Sequence, residues 1–158
     1  MRRPNPSPAE KQMLGAYVLS TAAGGLLGYS ALGGLHSMVE IAGPGIGGVL
    51  SALASCAGGL GSAFFLREHF GHGGTLGIVT VLAGGFFATA LLGIIAGTIL
   101  LPIFGTMFGP WLILLTAVTK PWLAAPWLWA LFRMHQAREA YLVERETIFR
   151  RLPRIDPT

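Results

Sequence analysis

Apolar positions along this chain come in long unbroken runs, not in the stripes of a soluble amphipathic helix. The runs cover about 13–35, 46–66, 75–101 and 103–132, separated by polar or glycine–proline breaks. About 20 consecutive apolar residues suffice for a helix to cross a bilayer. The pattern therefore predicts an all-α polytopic membrane protein with four transmembrane helices. Ser7-Pro8-Ala9-Glu10 reads as the start of the first helix, with Ser7 as cap, Pro8 in the first turn and Glu10 closing a capping box. The connectors are 36–45, stopped by Gly43-Pro44-Gly45, the polar loop 67–74, and an uncharged turn over 102–110. The fourth helix runs from Trp111 to Phe132, extending back to about 103 if part of that turn is embedded, and Pro121 and Pro126 should kink it. The organisation expected is thus a cytoplasmic N-tail (1–12), a four-helix membrane domain (13–132), and a cytoplasmic C-terminal amphipathic helix with its tail (133–158).

Composition strengthens this reading. Of 158 residues, 53% are hydrophobic and only 11% charged, against about 25% charged in a soluble domain. The net charge of +4 is gathered almost wholly in the tails, which argues for membrane orientation and against nucleic-acid binding. Arg2, Arg3 and Lys11 precede the first run, Arg67 lies in the second connector, and Arg133, Arg138, Arg145, Arg150, Arg151 and Arg154 follow the last run. An even number of crossings with both termini inside accounts for each segment, most simply in a bacterial cytoplasmic membrane. The single cysteine, Cys56, excludes an internal disulfide.

Glycine is abundant, 23 of 158 residues, about twice its usual share. Small residues recur every fourth position on three of the four stretches: Ala16, Ser20, Gly24 and Gly28; Gly47, Ser51, Ser55, Gly59 and Ala63; Gly85, Thr89, Gly93 and Gly97. Such spacing lines one helix face, and in lipid small faces let backbones approach closely. Three such faces exceed the need of one compact bundle, which points to partner helices or self-association. The repeat from Gly45 to Gly61 resembles the inner helices of rotary-ATPase ring subunits. No apolar stretch carries that family's ion-binding carboxylate, so its function is not implied.

Candidate chemistry is sparse. The first three helices carry no acid, basic residue or histidine at membrane depth, against ion-coupled transport. Lys120 is the exception. It is a candidate anion or lipid contact together with Arg133, or a marker of the cytoplasmic edge, with the tryptophan-rich segment 121–132 lying partly in the headgroup layer. Glu68, His69, His72 and His135 fall on the same side and could supply metal ligands, though at no recognised spacing. No cofactor is expected, no catalytic set can be assembled, and Cys56 reads as a packing residue. Met134, Ala137, Tyr141, Ile148 and Leu152 share a face of the C-terminal helix, for anionic lipid or a cytoplasmic partner. The expectation is a non-enzymatic accessory or assembly subunit of a membrane complex, or a homo-oligomer. The alternative is a passive small-solute or anion pathway through Lys120.

Overall fold

The computed structural model describes residues 6–39, 46–72 and 74–150, and all of their regular structure is helical. The helices are α1 (Pro8–Val39), α2 (Ile46–Phe65), α3 (Gly74–Leu100), α4 (Phe104–Thr119) and α5 (Pro121–Arg150), with a 3₁₀ turn at Arg67–His69 between α2 and α3. Ser7 opens α1 with a reciprocal pair of bonds. The Glu10 N–H donates to Ser7 Oγ at 3.2 Å, and the Ser7 N–H donates to Glu10 Oε2 at 2.8 Å. Two of the helix's unpaired first-turn donors are thereby satisfied locally.

The bundle is built with small residues inside and large ones outside. On α2 the buried positions are Gly47, Ser51, Ala54, Ser55, Gly58, Gly59, Ser62 and Ala63. Its Val49, Leu53, Leu60 and Phe64 are exposed, as are Ile78, Leu82, Phe86 and Phe87 of α3. Burying large apolar side chains drives folding in water. Lipid removes that drive, and tight backbone packing replaces it. Ile46–Phe65 and Gly77–Leu100 are each long and apolar enough to cross a membrane, and α4 with α5 meets the same standard as one bent pair. Two or three helices of this kind mark a membrane protein. α1 is not among them. Its Gly, Ser, Thr and Tyr positions lower its hydropathy, and it occupies the middle of the bundle, in contact with α2, α3, α4 and α5.

The fourth stretch departs from the predicted kinked helix. It breaks into two helices whose axes differ in direction by 107°. Lys120 stands at the break with φ −125° and ψ 70°. A residue before proline is driven out of the α region by the proline ring, and Pro121 also lacks the N–H that would continue the ladder. The turn expected over 102–110 is shorter than predicted, since helix resumes at Phe104 and runs through Gly105, Gly109 and Pro110. The reversal is confined to Leu101–Ile103. Ile103 has φ 74° and ψ −68°, and the Phe104 N–H donates to the Pro102 carbonyl at 3.0 Å. This is a γ-turn with a β-branched residue at its strained centre. Ile103→Gly is expected to stabilise the fold by about 1 kcal/mol, read as a higher unfolding midpoint in detergent. An unchanged or lower midpoint would show that Ile103 stores no strain.

Nor is the C-terminal segment a separate helix starting near 133. α5 is continuous from Pro121 to Arg150 and runs antiparallel along α1. Glu144 Oε2 accepts from Ser7 Oγ at 3.2 Å and from the Ala9 N–H at 3.3 Å, joining the end of α5 to the start of α1. Met134 and Ala137, predicted for a lipid or partner surface, are buried inside the chain, with Tyr141 half-buried. The side chains of Ile148 and Leu152 lie outside the described residues.

Candidate functional site

The small-residue faces converge on one another. A Cβ placed on Gly24 would lie 2.7 Å from Gly59 Cα, and one on Gly28 would lie 2.8 Å from Ser55 Cβ, so α1 and α2 meet backbone to backbone. On the other side of α2, a Cβ on Gly58 would lie 2.8 Å from the Leu92 carbonyl of α3. α3 meets α4 in the same way. A Cβ on Gly93 would come 2.5 Å from Pro110 Cα, and Gly97 and Gly105 abut directly. Ala16, Ser20, Gly24 and Gly28, then Gly47, Ser51, Ser55 and Gly59, then Gly85, Thr89, Gly93 and Gly97 are all buried within the single chain. The surplus of faces that pointed to partner helices is thus taken up internally. Gly105 and Gly109 complete the α3–α4 contact. Their own four-residue spacing was the signal, hidden by reading 102–110 as a turn.

Trp127 fills the centre. It is fully buried, its ring packs over Gly24, and its indole N–H donates to Thr89 Oγ1 at 2.9 Å. Thr89 Oγ1 in turn donates to the Gly85 carbonyl at 2.7 Å. The chain Trp127–Thr89–Gly85 satisfies a buried donor and ties α5 to α3. Within segment 121–132, Trp127 is therefore a packing residue of the bundle interior. Trp122 and Trp129 are exposed, whereas Trp127 is the largest fully buried side chain among the described residues.

Lys120 is exposed at the outside of the elbow, between exposed Val118 and Trp122. Because α5 runs antiparallel to α1, with Trp127 beside Gly24 and Glu144 beside Ser7, Lys120 lies beyond Trp127 on the side away from the N-terminus. Seven residue steps separate it from Trp127, about 10 Å along the axis. Lys120 therefore does not mark the edge on the N-tail side. Arg133 does lie toward that side, beside Gln12 and Leu19, so the two candidate anion contacts sit in opposite halves of the bundle.

The polar loop closes against α5. The Gly71 N–H donates to His135 Nδ1 at 3.0 Å, and Gly71 holds φ 91° with its α-carbon against Arg138. A nitrogen that accepts from a backbone N–H carries no proton of its own and is already engaged. Among the described residues no three His, Cys, Asp or Glu side chains come together as a metal site. Arg67 of the loop stacks over Phe64 at 4.5 Å, and Arg138 of α5 over Tyr141 at 5.7 Å. Cys56 packs opposite Gly25, where an added Cβ would lie 2.7 Å from its Sγ.

No protein family, curated protein or solved structure matches this chain.

Proposed function

We propose that this chain is a small non-enzymatic integral membrane protein. It acts as an accessory or assembly subunit of a larger membrane complex, or as one protomer of a homo-oligomer. In this reading α1, α2, α3 and the broken pair α4–α5 make four crossings of a bacterial cytoplasmic membrane, with both termini cytoplasmic. The observation that carries the reading is the elbow at Lys120. The glycine-lined faces are used inside the chain, so the contact offered outward is the bulky ridge of α4. It is formed by Trp111, Leu115 and Val118 and continues through Lys120 to Trp122, all exposed. A lysine standing out of an otherwise apolar ridge favours a partner that carries an acid or a carbonyl cluster at matching depth. Lys120 is exposed and does not line the clefts at Arg133, Arg138 or Leu128, which favours an outward contact over a solute path through it.

The test is native mass and protein inventory after mild detergent extraction from the source membrane. Wild type is expected in an assembly of fixed stoichiometry, and Lys120→Glu is expected to release it as a single folded chain. Wild-type protein that leaves the membrane alone, with no second copy or partner, would overturn this reading. Anion flux in vesicles that disappears in Lys120→Met would then favour the passive pathway.

A further inference from the structure

We infer that the groove between α1 and α5 on the N-terminal side of the bundle binds the headgroup and upper chain of one anionic glycerophospholipid, with the phosphate on Arg133. The groove encloses a cavity of about 400 Å³ lined by Gln12, Gly15, Ala16, Leu19, Trp129, Arg133, Gln136 and Ala137. Three properties select the ligand. The first is charge. Arg133 is the one ionised group in the lining, and no carboxylate opposes it. A neighbouring cleft of about 300 Å³ holds Arg67 and Arg138 but also Glu10, so its charge is partly answered from within. The second is donor geometry. Arg133 Nη1 donates to Gln136 Oε1 at 3.1 Å, which steadies the guanidinium and leaves its other N–H groups and the Gln12 and Gln136 amides for phosphate and ester oxygens.

The third is depth. The last charged residue of α1 before its apolar run is Lys11. The groove begins one residue later at Gln12 and ends at Leu19, so it spans about 10 Å of helix across the polar–apolar boundary. Its shallow end offers amides and a guanidinium. Its deep end offers Gly15, Ala16 and Leu19 with the exposed indole of Trp129, a side chain that favours the interface. A free phosphate would use only the shallow end, whereas a phospholipid uses both. Gly15 keeps the groove open, since an added Cβ there would meet nothing within 4 Å. The site is independent of any protein partner at the elbow, which lies in the other half of the bundle.

The experiment uses the full chain in nanodiscs of phosphatidylcholine with graded phosphatidylglycerol, followed by mild detergent release and native mass spectrometry. Wild type should retain one phosphatidylglycerol in preference to phosphatidylcholine. Arg133→Gln should reduce that preference about fivefold, the effect of one basic group near anionic lipid. Gly15→Leu should fill the groove and abolish retention of either lipid without lowering the unfolding midpoint. Equal retention of both lipids by wild type would overturn the proposal. So would undiminished preference in Arg133→Gln, or retention of lipid by a folded Gly15→Leu. Inorganic phosphate raising the midpoint of lipid-free protein as far as phosphatidylglycerol does would reassign the site to a free anion.

Discussion

Gly97→Leu is expected to separate α3 from α4 and cost more than about 3 kcal/mol, beyond the usual range for overpacking. At most crowded positions a neighbouring side chain can turn aside. Here the neighbour is backbone. A Cβ on Gly97 would meet the carbonyl of Gly105, 2.6 Å from its carbon, and a Cβ on Gly105 would meet the carbonyl of Gly97 in return. Only a shift of the whole helix relieves such a clash. That shift would also open the contact at Gly93, where Gly109 and Pro110 approach equally closely, and the Thr98–Thr106 hydroxyl bond at 2.7 Å. Even Gly97→Ala should destabilise clearly, against the usual preference of helices for alanine over glycine. Gly15→Ala, facing open space, is the control and should be neutral or slightly stabilising. Unfolding midpoints in detergent titration check the pair. A folded Gly97→Leu with the wild-type midpoint would mean that the α3–α4 seam is not the tight contact described.

The same glycines show which parts of the fold were legible in the sequence. Four-residue spacing marks a small face on α1, α2 and α3 because spacing and helix geometry are local facts. What the faces meet is not local. Gly24 meets Gly59, and Gly97 meets Gly105, and no count of grooves distinguishes such internal pairs from docking sites for another chain. Proline has the same ambiguity. Pro110 and Pro126 lie within helices, whereas Pro121 stands at a break, as the first residue of α5. Each lacks an N–H, so the difference comes from the packing around them. Pro110 is held against Gly93 by the α3–α4 contact, while Pro121 follows a Lys120 that is exposed and free to extend. The lipid groove was legible only as Arg133. Its second wall, Gln12 and Gly15, lies more than a hundred residues away and comes to it through the antiparallel pairing of α1 with α5.

That pairing predicts a second large effect. Trp127→Ala is expected to cost about 3–5 kcal/mol, the range for removing a large buried aromatic. The indole touches the α-carbon region of Gly24 and the side chain of Thr89, so its loss leaves a void where α1, α3 and α5 meet. Most of the cost is lost dispersion contact, because lipid supplies little hydrophobic drive. The hydrogen bond to Thr89 is the smaller part. Crossing Trp127→Phe with Thr89→Val should give a coupling of about 0.6 kcal/mol, the average for such bonds between membrane helices. Thr89 keeps its own bond to the Gly85 carbonyl, so Trp127→Phe leaves no orphaned donor behind. The measurement also decides between two placements of the tryptophan-rich segment. A helix lying along the headgroup layer would present Trp127 to the interface, and Trp127→Ala would then leave the unfolding midpoint nearly unchanged. A helix packed as α5 is, with Glu144 beside Ser7 at one end and Trp127 over Gly24 at the other, must lose its midpoint when that one side chain is cut back.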